Sequence, residues 1–196
     1  MRKATGGRGA LKEVSLFEEA LKIAGTAQVE DLGTIPTISR RDFDERPSFL
    51  FRAKVPCLEY GCLMIENALL LRANRMGRVY AGFGQLSRME AVAGRYLRIA
   101  DLSERVYVFG EADWKPPRHP NMKVIATPSN SKLTREWFVI ADSSTLRMAL
   151  IGVDEDGERV PVLEERNFHA FKSSDPATVT QLAMIAEDLI DSSPSA

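Results

Sequence analysis

The chain has 196 residues, of which 44% are hydrophobic and 27% charged, and its formal net charge is −1. That length supports one domain with a substantial core, in a composition ordinary for soluble globular proteins. The balanced charge removes the basic excess that nucleic-acid binders normally carry, and no apolar run approaches the roughly 20 residues that span a bilayer.

The opening "MRKATGGRGALKEV" has basic residues but no apolar stretch of signal-peptide length, so residues 1–13 read as a flexible leader. "SLFEEALKIAG" is the first firm helix. Ser15 with Glu18 makes a capping box, and Gly25 closes the helix as a left-handed cap. The proline-bearing stretch that follows reads as irregular, with one short strand over residues 33–38. A second helix over residues 56–74 carries Leu58, Cys62, Ile65 and Leu69 as one stripe at helical spacing. Cys57 and Cys62 fall in that apolar pattern and read as small hydrophobes in a reduced, cytoplasmic chain.

"GRVYAGFG" is a strand, "SRMEAVAGRYLRIADL" a helix capped by Ser87, and "ERVYVFGE" a second strand. Together they predict a right-handed βαβ unit with parallel strands. After the loop "WKPPRHPN", the strands "MKVIAT", "EWFVIAD" and "LRMALIGV" follow, and their short links favour antiparallel neighbours. "DEDG" supplies hairpin-turn chemistry and leads to an expected edge strand, "ERVPVLE", where Pro161 suits an edge. The final helix, "DPATVTQLAMIAEDLI", has Asp175 as its cap and Pro176 in the first helical position; residues 191–196 read as a tail. The sum is one α+β domain over residues 14–190. It holds a mixed sheet of five to six strands with one βαβ unit and an antiparallel meander, packed by about four helices.

The strands at 136–142 and 147–154 are apolar on both faces. Trp137, Val139 and Ala141 oppose Phe138 and Ile140, and Leu146, Met148 and Leu150 oppose Ala149, Ile151 and Val153. A sheet oily on both faces must be covered on both. About four helices are few for that task, which leads to the expectation of a homodimer burying part of the sheet.

Few constellations carry chemistry. "GFGQLS" (82–87) follows a strand and opens a helix as a dinucleotide turn does, but Ser87 stands where the fingerprint needs a third glycine. The plainer reading is a close backbone approach at a strand end. Cys57 or Cys62 with His119 or His169 gives no third orienting group, and the spacing matches no zinc pattern. Neither a catalytic nor a metal residue is therefore assigned. Arg88, Arg95 and Arg98 could form an anion patch, yet a solvated helix face pairing with Glu90 or Asp101 is the plainer reading. Glu66 is the one charge in "LMIENALLL" and must find an arginine, a backbone amide or a ligand if buried. Gln85 and Trp137 are polar-tipped groups at strand ends beside the same core.

In order, "SLFEEALK", "LMIENA", "YAGFGQ", "AGRYLRIADL", "VYVFG", "EWFVI", "ALIGVDE" and "FHAFKSSDPATV" resemble the DICT domain family, a sensory module of prokaryotic signalling proteins. The resemblance runs over residues 15–190. Gly84 stands where the family tends to have an aromatic, and Phe171 with Lys172 where a tryptophan tends to follow. The resemblance implies a non-catalytic sensory domain in signal transduction, binding a small ligand or a protein and acting in trans. Its partners would be of the diguanylate cyclase, histidine kinase or transcription regulator class, in a family suggested to serve light-responsive signalling. It names no ligand or cofactor. The ligand-binding candidates are Glu66, Gln85, Arg95, Tyr96 and Trp137. The alternatives are a small nucleotide-dependent enzyme using the 82–87 turn and a nucleic-acid-binding module using the arginine-bearing helix.

Overall fold

The computed structural model describes residues 11–25, 29–71 and 74–193. In chain order the elements are α1 (Leu16–Ala24), β1 (Glu30–Thr34), α2 (Arg40–Glu45), β2 (Ser48–Lys54), α3 (Val55–Leu71), β3 (Asn74–Gln85), a 3-10 segment (Leu86–Val92), α4 (Ala93–Leu102), β4 (Ser103–Glu111), β5 (Met122–Ala126), β6 (Glu136–Asp142), β7 (Arg147–Asp154), β8 (Asn167–Ser173) and α5 (Pro176–Asp191). The eight strands form one sheet in the order β1-β2-β8-β7-β6-β3-β4-β5. The α+β class is as expected, but the sheet is larger than the five to six strands read from sequence.

The predicted βαβ unit is present: β3 and β4 pair in parallel, joined through α4. The β6–β7 hairpin is antiparallel as expected. Three expectations need correction. β5 does not neighbour β6; it adds in parallel to the far side of β4. "ERVPVLE" is not an edge strand but two short 3-10 turns, Gly157–Arg159 and Leu163–Glu165. The place beside β7 is taken by β8, which a period-two reading passed over because Lys172 interrupts it. β1 covers Glu30–Thr34 rather than 33–38 and pairs in parallel with β2, a strand the sequence reading left inside an irregular stretch.

The covering of the sheet follows from its side-chain alternation. Trp137, Val139, Ala141 and Leu150 pack with α2, α3 and α4 on one face. Phe138, Ile140, Ala149 and Ile151 pack with α1 and α5 on the other. Every residue of β6 except Asp142 is buried. The chain's own helices thus lie against both faces, and the sheet supplies no ground for a second copy. Leu11, placed by the sequence reading in a flexible leader, is 2% exposed, and its carbonyl accepts a hydrogen bond from the Ser131 hydroxyl. Residues 1–10 of that leader and 194–196 of the expected tail lie outside the described residues. Among the described residues no helix is long and apolar enough to cross a membrane.

One buried carboxyl fixes how α1 docks. Glu136, at the start of β6 and 1% exposed, takes hydrogen bonds from the Ser15 hydroxyl and from the backbone N–H groups of Leu16 (3.0 Å) and Phe17 (3.3 Å). These are free donors of a helix start, where a carboxylate also meets the positive end of the helix dipole. The expected capping box is half present: Ser15 Oγ accepts from Glu18 N–H at 3.0 Å, while the Glu18 side chain turns outward to Lys132 at 2.9 Å.

Candidate functional site

β1, β2, β3, β4, β5 and β7 run in one direction, and β6 and β8 run against them. The carboxyl ends of β3, β4 and β7 therefore meet the amino end of β6 at one end of the sheet. Ligands in open parallel sheets collect at such ends, where strand order reverses and the crossovers leave to opposite sides. A cavity of about 690 Å3 opens there. Its wall includes Gln85, Arg88, Glu111, Arg135, Asp154 and Arg166, with the 155–159 turn along one side. Clefts of roughly 300–1,000 Å3 accommodate small ligands, so volume permits one.

Local sequence explains how these groups arrive. Gly84 has φ 72°, and a Cβ there would stand 2.5 Å from the Thr134 carbonyl oxygen. Gly82 is pressed against the Phe138 ring, with 2.1 Å left for a Cβ. The two glycines of "GFGQLS" thus serve close approach of the β3 end, Gly82 to β6 and Gly84 to the 3-10 turn Lys132–Arg135 that precedes it. The segment after β3 does not offer a free phosphate cradle: Asp113 takes the Ser87 N–H at 2.9 Å and the Ser87 hydroxyl at 2.5 Å. Arg88, expected on a solvated helix face, instead folds back to donate to the Phe83 carbonyl at 3.2 Å and lines the cavity. Burial, and after it the charge of Arg166, pull its guanidinium below the ordinary range.

Asp154 organises the opposite wall. It is 4% exposed; its Oδ1 accepts from the N–H groups of Asp156 (3.0 Å) and Gly157 (2.7 Å), and its Oδ2 pairs with Arg166 at 3.0 Å. "DEDG" is therefore a turn, as expected, held by its first aspartate. Arg135 donates to the Asp154 carbonyl, and Arg159 to the carbonyls of Glu155 (2.6 Å) and Asp156 (3.1 Å).

The five sequence candidates separate. Glu66, Arg95 and Tyr96 come together: the buried Glu66 accepts from the Tyr96 hydroxyl at 3.0 Å and lies 3.4 Å from Arg95. Arg95 also donates to Asn67 at 2.8 Å. Burial raises the Glu66 carboxyl above its ordinary range, against the Tyr96 bond and the Arg95 charge that pull it down. Glu66 thus has the arginine the sequence reading called for, within the core and outside the cavity wall. Trp137 is 7% exposed and packs on Phe83, whose ring also meets Tyr96 edge-on at 5.3 Å. Only Gln85 lines the cavity. The proposed cysteine–histidine pairs do not form: both thiols are in the α3-side core, His119 pairs with Asp101 at 3.0 Å, and His169 packs on Phe17 of α1.

Sequence reasoning missed Arg88, Arg135, Asp154 and Arg166 as one site. Nothing in their spacing brings together four residues on four separate segments. Glu136 and Lys172 carried a legible signal, a lone charge in an apolar strand, the same signal that singled out Glu66. Lys172 Nζ donates to the Arg46 carbonyl at 2.6 Å and to Ser174 at 3.1 Å, above the rings of Phe43 and Phe49.

No curated protein matches the chain in sequence. Among solved structures, the chain is similar in fold to TrmBL2, an archaeal chromatin protein described as showing a novel mode of DNA binding. The TM-score is 0.52 at 8% identity, over 92% of this chain and 61% of that one. It is likewise similar to polyphosphate kinase from Porphyromonas gingivalis, with a TM-score of 0.55 at 10% identity, over 82% of this chain and 30% of that one. The chain thus spans less than two thirds of either relative, and identities this low establish the shared fold alone. Residues 62–154, which include β3, α4, β4, β6 and β7, match the DICT family model, described as the sensory domain in diguanylate cyclases and two-component systems.

Proposed function

We propose that the chain senses a small polar ligand held in the cavity at the carboxyl ends of β3, β4 and β7, and reports it to a signalling protein without catalysing a reaction. The observation that carries this reading is the cavity itself. It is polar, large enough for a metabolite, and built in good part from the DICT-matched stretch: Gln85, Arg88, Glu111, Arg135 and Asp154. Binding that favours one arrangement of this wall over another shifts a population between signalling states. The β6 entrance is suited to report it, because Arg135 lines the cavity while the next residue, Glu136, holds the start of α1. The partner expected from the family context is of the diguanylate cyclase, histidine kinase or transcription regulator class.

The nucleotide-enzyme alternative loses its anchor, since Asp113 occupies the N–H and hydroxyl of Ser87. The DNA binding named for TrmBL2 is not carried over, because a net charge of −1 leaves no basic excess to neutralise phosphates. Thermal-melting screens of a metabolite library test the proposal. A ligand at 100 times its dissociation constant stabilises by about 2.7 kcal/mol. Hydrogen exchange then locates the site: protection over residues 84–88, 134–136 and 154–159 supports the reading, and protection elsewhere with these segments unchanged rejects it.

A further inference from the structure

Three guanidinium groups converge around Asp154. Arg166 pairs with its carboxylate at 3.0 Å, Arg135 donates to its carbonyl, and Arg88 lies within electrostatic reach of both Asp154 and Arg166. Asp154 pairs directly with one of the three, and Asp113 also acts on Arg88. Among the described residues no carboxylate stands within 4.0 Å of Arg88, Arg135 or Arg159. Each of these three donates only to backbone carbonyls, which carry no net charge. Arg88 and Arg135 thus have no directly paired carboxylate at the cavity wall; Asp154 and Asp113 act on Arg88 only at longer range, and its side chain is folded back into the protein.

The acids around the same cavity are differently placed. Glu155 is turned to Arg52 at 3.3 Å. Asp156 Oδ2 is held by the backbone and side-chain N–H groups of Asn167 at 2.7 and 2.9 Å. Asp154 is occupied as described. Glu111 and the exposed Glu158 remain on the wall, at the β4 end and the turn. Protein partners therefore engage three of the five acids, whereas the arginines keep unfilled N–H donors. Guanidinium forks recognise planar or tetrahedral oxyanions through paired, charge-assisted hydrogen bonds. An anion between Arg88 and Arg135 would also relieve the repulsion between Arg88 and Arg166. The Gln85 side chain adds a neutral amide to the same wall.

We infer that the ligand of this cavity is a small oxyanion, a phosphate- or carboxylate-bearing metabolite, gripped by Arg88 and Arg135 beside the Arg166–Asp154 pair. This rests on the reading of the cavity as the sensory site, and its test separates the two. Isothermal calorimetry on the full chain uses four probes: inorganic phosphate, succinate, glucose as a neutral control and ammonium as a cationic one. The expected result is saturable binding of phosphate, succinate or both, reduced at least about tenfold in Arg88→Met and in Arg135→Met, the loss of a charged hydrogen bond. Phosphate alone identifies phosphate chemistry; succinate alone identifies carboxylate chemistry. Arg135 is exposed, so Arg135→Met should fold even where Arg88→Met does not. Binding of glucose or ammonium with neither anion bound overturns the oxyanion assignment and leaves the sensory cavity standing. Anion binding unchanged in both variants moves the site elsewhere, and no heat from any probe up to about 10 mM rejects assignment and cavity together.

Discussion

Replacing Glu136 by glutamine should remove a pH dependence from the stability of this protein. The carboxyl is 1% exposed, and burial raises it from 4.5 to about 7 even though Ser15, Leu16 and Phe17 all donate to it. A carboxyl whose folded value is raised keeps its proton in the native state at pH values where the unfolded chain has lost it. Between pH 4.5 and 7, then, stability falls as pH rises. The difference of about 2.5 pH units corresponds to roughly 3 kcal/mol at 1.36 kcal/mol per unit. Burial also raises the Glu66 and Glu59 carboxyls, which slope the same way, but they are common to wild type and variant and cancel in the difference; His169 and Lys172 run otherwise. Burial lowers the His169 imidazole, which gives stability rising with pH in its own range, and Lys172, lowered to about 8, acts only above that value. A glutamine at 136 is neutral at every pH and keeps one acceptor for the α1 N–H groups. Urea denaturation followed by circular dichroism at pH 5, 6, 7 and 8 reads the effect. From pH 5 to 8 the wild type should lose about 2.5 kcal/mol more than Glu136→Gln, the rest of the difference falling below pH 5. Parallel curves would refute the reasoning, and a wild type gaining on the variant with rising pH would mean that the helix N-terminus outweighs burial.

Other perturbations test separate parts. Gly84→Ala combines φ 72° with a Cβ 2.5 Å from the Thr134 carbonyl and should cost about 2 kcal/mol or more; an unshifted melting temperature would contradict the close approach of β3 to the turn before β6. Glu66→Ala leaves the Tyr96 hydroxyl buried without its acceptor and should destabilise by about 2–3 kcal/mol. Adding Tyr96→Phe should recover part of that loss, and strictly additive costs in a double-mutant cycle would argue against the pair. Duplex DNA at about 150 mM salt should show at most weak, non-specific binding, and a dissociation constant below about 10⁻⁷ M would restore the nucleic-acid reading.

The parts legible in sequence are those where one period dominates. β6 and β7 alternate cleanly, and the face assigned to each residue is the face it occupies. The β3–α4–β4 unit was readable from strand, helix and strand lengths. β2 and β8 were not, because Arg52 and Lys172 interrupt their apolar runs and the pairing of the two with each other spans more than 100 residues. Charge alone did not distinguish Arg88 from a solvated residue, since its direction is set by the 3-10 segment after β3. Glu66 was singled out because an isolated acid in an apolar helix demands a partner, but nothing in the spacing tied it to Arg95 and Tyr96. The cavity was invisible because it is assembled by topology: three strand ends and one strand start, distant in sequence, meet only when β6 inserts between β7 and β3.

Backbone amide NMR of the 15N-labelled chain during titration with inorganic phosphate and succinate tests the sensory cavity most directly. Saturable shifts concentrated at residues 84–88, 110–111, 133–136 and 154–159 are predicted. Shifts centred instead on the Glu66–Tyr96 cluster would contradict the cavity as the site, and weak unsaturable changes scattered over surface lysines would contradict its oxyanion assignment.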